Sequence, residues 1–144
     1  MITGAYNDTY REVPDTVAKL GLKDEVHLVG LVGEDDLAGL YQNAFCYVFP
    51  SFYEGFGLPP LEAMACGLPV IASNTSATPE ICGEGNALFF DPYSIDDMRD
   101  KMRLIATDAT IRQRLVDRGH RRVKEFSWDR MTEEVLAVYN ELNK

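Results

Sequence analysis

Two carboxylates flank a glycine loop in the middle of the sequence, and their spacing indicates a ligand site. Glu54 and Glu62 are separated by the seven residues Gly-Phe-Gly-Leu-Pro-Pro-Leu. Two glycines let the backbone approach a ligand closely, and the free N–H groups at a following helix start favour an anion such as phosphate. Carboxylates on either side of a bound phosphate can accept hydrogen bonds from sugar and ribose hydroxyls. The sequence therefore predicts a diphosphate site flanked by sugars.

A strand and a helix must position this loop. The apolar run 44–49 is rich in aromatic and β-branched residues and is ended by Pro50, which is typical of a strand buried on both faces. Residues 61–66 are good helix formers, and Gly67 stands where a glycine would end the helix. We expect Pro60 to be the first helical residue, where its missing N–H costs nothing, which puts Glu62 in the first turn.

Two other interpretations of the loop have to be considered. In a purely structural one, Glu62 only complements the helix dipole and Glu54 is solvated. The dinucleotide fingerprint G-x-G-x-x-G is the second, but its third glycine position is Pro60. The next predicted strand, 68–72, is also followed by no acidic residue that could bind a ribose. NAD is therefore not expected.

At this point the residues resemble a known family. Glu54 and Glu62, with Gly-Phe-Gly-Leu-Pro between them, look like the E-x7-E motif of family 4 retaining glycosyltransferases, which have the GT-B fold. The similarity continues in the expected order over nearly the whole chain, through residues 63–73, Pro79-Glu80-Ile81, residues 88–92 and Phe126-Ser127-Trp128.

The resemblance implies a reaction and a role for each loop residue. In this family a nucleotide-diphosphate sugar binds mainly to the C-terminal of two Rossmann-like domains, and the sugar passes to an acceptor with retention of configuration. This chain is similar to that C-terminal domain only. By position, Glu54 is the candidate catalytic residue and holds hydroxyls of the donor sugar, and Glu62 binds the ribose. The remaining donor-binding residues are Gly55, Phe56, Gly57 and Leu58, and the base of a UDP-, GDP- or ADP-sugar lies near Leu31 and Val32.

Parts of the family's machinery are not found in this sequence. The family carries an Arg and a Lys for the departing diphosphate on a segment that the sequence lacks, and the acceptor domain is also absent. We therefore expect residues 1–144 to form a single nucleotide-sugar-binding domain without its first βα unit, inactive alone. One alternative is a related GT-B sugar-nucleotide epimerase or phosphorylase. Another is a non-catalytic domain that binds a nucleotide or a protein, which nucleotide binding without turnover would identify.

Composition limits the partners. The net charge of −9 argues against nucleic acid and against an anionic membrane surface. No apolar run approaches the ~20 residues of a membrane span, and the first residues do not form a signal peptide. The three cysteines have no disulfide spacing, so we expect reduced thiols and a cytoplasmic domain. No cofactor is expected, and neither His27 nor His120 has a partner spaced for a metal site.

Strands alternate with helices along the rest of the chain. The other strands are expected at residues 1–3, 26–30 and 86–90, and a polar loop at 74–78 is expected to face the ligand. Acidic residues 34–36 open one helix, and four other helices are expected to be capped by Asp8, Ser94, Asp108 and Ser127. The helix capped by Ser94 carries Ile95, Met98, Met102 and Ile105 on one face. The helix capped by Ser127 carries Met131, Val135, Val138 and Leu142 on one face. This order predicts an α/β fold, a Rossmann-like, mostly parallel sheet with helices on both faces.

One expectation follows from the strand order of such a sheet. The order 3-2-1-4-5-6 places strand 1 in the middle, so a chain whose residues 1–3 end strand 2 would lack its central strand. The two unpaired edges beside that gap could pair with another chain. We therefore expect a homodimer or strand exchange, with residues 1–30 the least securely placed.

Overall fold

Strands and helices alternate from residue 2 to residue 107, as predicted, and two further helices follow. The computed structural model describes residues 1–5 and 11–143, and the chain divides into two compact units, residues 1–40 and 41–144. The paired strands are parallel, and helices lie on both sides of them, which confirms the predicted α/β fold. In order, the elements are β1 (Ile2–Thr3), α1 (Glu12–Lys19), β2 (Leu28–Gly30), α2 (Glu34–Asn43), β3 (Tyr47–Phe49), α3 (Leu58–Ala65), β4 (Val70–Ser73), α4 (Thr78–Cys82), β5 (Leu88–Phe90), α5 (Ile95–Thr107), α6 (Ala109–Val123) and α7 (Trp128–Leu142).

The first unit is a parallel β1–β2 pair joined by α1. Helix α1 is followed by Gly21, whose φ of +70° lets the Leu22 N–H donate back to the Val17 carbonyl at 2.9 Å. Pro14 lies in the first turn, where its missing N–H breaks no helical bond. Strand β2 begins two residues later than the predicted strand. The predicted cap Asp8 lies outside the described residues.

The second unit is a three-stranded sheet in the order β3-β4-β5, with β4 in the centre. All four residues of β4 are buried, and the core forms around Ile71, Phe90, Ile105 and Leu115. Helices α3 and α6 pack closely, because a Cβ on Gly119 would meet the Cγ of Met64 at 3.0 Å. This packing fixes α3, and with it the end of the loop that carries Glu54.

Strand β3 differs from its prediction. Its three residues are half-buried rather than buried on both faces, and it spans 47–49 rather than 44–49. Within the described strands it pairs only with β4, so it is an edge strand and less of its surface is covered. The described strands thus form two separate sheets, β1-β2 and β3-β4-β5. The expected homodimer or strand exchange stays a prediction.

The three long helices begin where the sequence places them. At each N-terminus the predicted capping oxygen accepts a backbone N–H: Ser94 from Asp97 at 3.2 Å, Asp108 from Ile111 at 2.9 Å and Ser127 from Arg130 at 3.4 Å. The predicted apolar faces are less well covered. Ile95 on α5 is 84% exposed and Met102 is also exposed, and so are all four apolar residues predicted on α7. Periodicity predicts that a helix has an apolar face, but not what covers it.

Candidate functional site

The loop between β3 and α3 turns into the helix at Gly57. This residue has φ +101° and ψ 60°, a conformation that only glycine adopts readily, and a Cβ placed there would meet no atom within 4 Å. The requirement for glycine is therefore conformational and not one of space. Because Gly57 makes the turn, α3 begins at Leu58, two residues before the predicted start at Pro60. Pro59 and Pro60 then occupy the first turn, which tolerates a residue without an N–H.

The donors available to an anion come from the loop rather than from the helix. A helix start normally offers four free N–H groups, but two of the first three residues of α3 are prolines. Ahead of them, Gly55, Phe56, Gly57 and Leu58 donate no hydrogen bond from their N–H groups to any residue that the structure describes. These consecutive donors stand in front of the positive end of the helix dipole. The arrangement suits an anion such as a diphosphate.

Hydroxyl groups hold Glu54 in place from two sides. Its side chain is half-buried, and the Ser51 Oγ donates to its Oε1 at 2.8 Å. Its backbone is bound by the single hydroxyl of Ser76, which accepts the Glu54 N–H at 3.1 Å and donates to the Glu54 carbonyl at 2.6 Å. Thr75 adds a third contact between the same two loops, since its Oγ1 donates to the Ser51 carbonyl at 3.3 Å. The Glu54 carboxylate is thus partly buried and hydrogen-bonded by Ser51, and its backbone is bound by Ser76.

Glu62 lies two residues further into α3 than predicted. The helix begins at Leu58, so Glu62 is in the second turn and its side chain is exposed. Complementing the helix dipole is an effect of the first turn, so the structural explanation of this carboxylate loses its basis. An exposed carboxylate on the face of the helix is available to accept hydrogen bonds from a ligand.

The two carboxylates act on the same tyrosine. Burial raises the pKa of Tyr47 well above its ordinary value, and the neighbouring Tyr41 phenol, with which it shares a hydrogen bond, raises it further. The charges of Glu62 and Glu54 both add to that shift. The rings of Tyr41 and Tyr47 meet edge to face with centroids 5.3 Å apart. The charges of both carboxylates therefore reach the same phenol, whose raised pKa keeps it protonated at neutral pH.

The two positions predicted to bind the base belong to the other unit. Leu31, which is 80% exposed, and the half-buried Val32 follow β2 in the unit of residues 1–40. Their role in binding the base stays a prediction. Two cavities of about 530 and 360 Å³ lie on α6 and between α6 and the end of α3, and neither is lined by Glu54 or Glu62. Gly55, Phe56 and Leu58 are exposed on the surface of the unit, and Gly57 between them is buried.

Sequence reasoning missed the hydroxyls that hold Glu54. It predicted a polar ligand-facing loop at 74–78, but not that Thr75 and Ser76 would bind the other loop. Contacts between residues 22 and 24 positions apart have no local signal. The Ser51–Glu54 spacing of three was the one available hint, since short polar side chains often bind groups two or three residues away.

Neither a candidate metal site nor a candidate membrane span is found among the described residues. They contain no group of three or more His, Cys, Asp or Glu side chains that could hold a metal ion. No described helix combines the length and apolar character needed to cross a membrane. All three cysteines are free thiols, and burial raises the pKa of the Cys82 thiol to about 11.

Comparison with known proteins gives a consistent result. Residues 2–122 match the family described as Glycosyl transferases group 1. An O-antigen chain mannosyltransferase B of Escherichia coli is 40% identical over 114 residues, which is 79% of this chain and 30% of the relative. The chain therefore spans about a third of the length of this relative.

Solved structures agree with the fold. A sucrose-phosphate synthase from Thermosynechococcus elongatus is 30% identical with a TM-score of 0.87, covering 97% of this chain and 37% of that one. The C-terminal domain of a glycosyl transferase group 1 family protein from Francisella tularensis is 30% identical with a TM-score of 0.72, covering 82% of this chain and 62% of that one. An Anabaena protein solved in complex with UDP and glucose shares the fold, with 19% identity, a TM-score of 0.87 and coverage of 96% and 39%. These similarities confirm the GT-B type of fold.

Proposed function

Because the chain belongs to the glycosyl transferases group 1 family, we propose that it binds the nucleotide-sugar donor of a family 4 retaining glycosyltransferase. One observation carries the proposal. Hydroxyl groups hold Glu54, and the next three residues in the sequence, 55–57, have backbone N–H groups without a partner among the described residues. A sugar diphosphate offers hydroxyls to the first and anionic oxygens to the second.

The proposal gives each part of the loop a task. Glu54 accepts hydrogen bonds from hydroxyls of the donor sugar, and the N–H groups of Phe56, Gly57 and Leu58 face the sugar and the phosphates. Glu62 accepts from the ribose. Leu31 and Val32 lie near the base. Negative charge develops on the departing diphosphate during transfer. N–H groups already placed beside it would therefore stabilise the transition state more than they stabilise the bound nucleotide sugar.

The position of the domain and its donor also belong to this proposal. The Francisella tularensis structure is described as a C-terminal domain, which supports the same placement for this chain. The Escherichia coli relative is a mannosyltransferase and the Anabaena protein was solved with UDP and glucose. A mannosyl donor and a glucosyl donor are therefore the first to test. A cytoplasmic location stays a prediction of composition.

We further propose that the 144 residues bind the donor without transferring its sugar. The resemblance places the diphosphate-binding Arg and Lys and the acceptor domain on segments that this sequence does not contain. Turnover of any nucleotide sugar by the purified chain would contradict this part of the proposal, while donor binding would be unaffected.

Calorimetry tests the proposal. The purified chain is titrated with UDP, GDP and ADP, and then with UDP-glucose and GDP-mannose. We expect saturable binding of one nucleotide diphosphate, with a different affinity for its sugar derivative, and the same values for the control Ser94→Ala, which weakens a helix cap remote in sequence from Glu54 and Glu62. Absence of binding by all five compounds at millimolar concentration would contradict donor binding and leave a protein-binding domain as the better explanation.

A further inference from the structure

Ser76 is held in a conformation that serine seldom adopts. Its φ is +58°, and within the described part of the chain it is the one residue other than glycine with a positive φ. This region is unfavourable for an L-residue, because its Cβ comes too close to the following carbonyl oxygen. Such strain persists where surrounding contacts impose it, and those places are often functional sites.

The contacts that impose it lead to Glu54. The Ser76 hydroxyl binds both backbone polar groups of Glu54, at 3.1 Å from its nitrogen and 2.6 Å from its carbonyl oxygen. The Ser76 hydroxyl therefore satisfies both backbone polar groups of Glu54, which a neighbouring strand would satisfy in a sheet. A residue with ordinary φ at position 76 would aim its side chain elsewhere, so the strained backbone is the condition for this contact.

Rigid elements on each side fix the loop that carries Ser76. At one end, β4 is fully buried and the Asn74 N–H donates to the Phe90 carbonyl at 2.9 Å, which extends the pairing with β5. At the other end, Thr78 is buried at the start of α4. Thr75 makes a second contact from this loop, to the Ser51 carbonyl, and Ser51 in turn donates to the Glu54 carboxylate. The Glu54 loop thus takes its position from the β4–α4 connection.

We propose that Ser76 is a positioning residue for Glu54, and that it sets the preference for a nucleotide sugar over the free nucleotide. This inference rests on the proposed donor binding. Ser76 itself is assigned no contact with the donor; it holds the backbone from which the Glu54 carboxylate reaches the sugar. Loss of its hydroxyl should weaken binding of the sugar portion and leave binding of the nucleotide portion nearly unchanged.

Two substitutions separate the hydroxyl from the strain. Ser76→Ala removes the hydroxyl and keeps the Cβ, whereas Ser76→Gly removes both and relieves the backbone. Ser94→Ala is the matched control, because it also removes one serine hydroxyl that binds a backbone N–H. Two quantities are measured for each protein: amide hydrogen exchange at Glu54, and the ratio of the affinities for the bound nucleotide sugar and its free nucleoside diphosphate.

We expect Ser76→Ala and Ser76→Gly to speed exchange of the Glu54 amide about three- to tenfold, the range for one lost hydrogen bond. Both should lower the affinity for the nucleotide sugar by a similar factor and change that for the nucleoside diphosphate by less than about twofold. Ser94→Ala should change neither. The positioning role would be wrong if Ser76→Gly kept the wild-type ratio of the two affinities. It would also be wrong if Ser76→Ala changed neither the affinity for the nucleotide sugar nor the exchange rate of the Glu54 amide. If the wild-type chain bound no nucleotide sugar, donor binding and this role would fail together.

Discussion

Helices α3 and α6 pack against each other, yet they begin in opposite ways. Helix α6 starts at a side-chain cap, where the Asp108 carboxylate accepts the Ile111 N–H at 2.9 Å. Helix α3 starts at Gly57, with a left-handed backbone, no side-chain cap and two prolines in its first turn. At the start of α6 a side chain accepts a free N–H, whereas the N–H groups before α3 find no partner among the described residues. The proposed donor site requires this difference, because a ligand can bind only donors that the fold leaves free.

Replacement of Gly57 should have the largest effect on this contrast. Gly57→Ala forces an L-residue to φ +101°, which should cost about 1–2 kcal/mol of unfolding free energy. Because the turn also aims the N–H groups of residues 55–57, donor affinity should fall about tenfold or more. Urea unfolding and calorimetry measure the two effects. Gly33→Ala is the control, since its Cβ also meets open space and its φ is ordinary; equal losses in both variants would remove the special status of Gly57.

Removal of Glu62 should act on binding alone. Its side chain is exposed on α3, so Glu62→Ala should leave the unfolding free energy nearly unchanged. A ribose would lose a charged acceptor, for which we expect about 1.5 kcal/mol, roughly tenfold in nucleotide affinity. Glu54→Gln should instead reduce the affinity for the nucleotide sugar more than that for the nucleotide. Calorimetry of both variants decides this, and unchanged binding in both would make the two carboxylates structural.

The cap of α6 should behave in the reverse way. Asp108→Ala should lower the unfolding free energy by about 1 kcal/mol, the usual value of a lost N-cap. Nucleotide affinity should not change, because this helix start satisfies its own donors. Chemical unfolding and calorimetry provide the check. A loss of affinity as large as that of Glu62→Ala would show that the two helix starts are not separate in function.

The smallest effect concerns the start of α5. The Asp91 N–H donates to the Asp97 carboxylate at 2.9 Å and lowers the pKa of that carboxyl below its ordinary 3.8. Lys101 lowers this pKa further, while loss of solvent raises it in part. A lowered pKa stabilises the fold above the unfolded pKa, and that contribution is lost as the pH falls through the folded pKa. Unfolding measured from pH 6 to pH 2.5 should therefore show a slightly weaker acid dependence for Asp97→Asn than for the wild type. A stronger dependence would contradict the assignment.

Local signals account for the parts of the structure that could be predicted. Each of the long C-terminal helices begins at its predicted Ser or Asp because that oxygen and its N–H partner are three residues apart. At Ser94 the cap is not reciprocal, because the Asp97 carboxylate accepts the N–H of Asp91 and not that of Ser94. The Ser94 N–H is already used by the Asp91 carbonyl in a turn.

The parts that could not be predicted depend on distant contacts or on a choice among turns. The rule that a residue before proline avoids the helix favoured a start at Pro60, but the left-handed turn at Gly57 allows both prolines into the first turn. The hydrogen bonds between Ser76 and the Glu54 backbone join residues that are 22 positions apart. Ser76 has a positive φ, and a serine gives no signal in the sequence for that conformation. The loop that carries the proposed site residues could therefore be located from the sequence, but the hydroxyls that hold Glu54 could not.

Amide chemical shifts of the ¹⁵N-labelled chain test the central claim most directly. On titration with UDP-glucose or GDP-mannose, we expect saturable shifts at Phe56, Gly57 and Leu58, with smaller ones at Glu54 and Glu62, and none at the capped start of α6. The free nucleotide should move the same three amides and spare Glu54. Saturable shifts that fall elsewhere in the unit and leave residues 54–58 unmoved would contradict the assignment of this loop as the donor site.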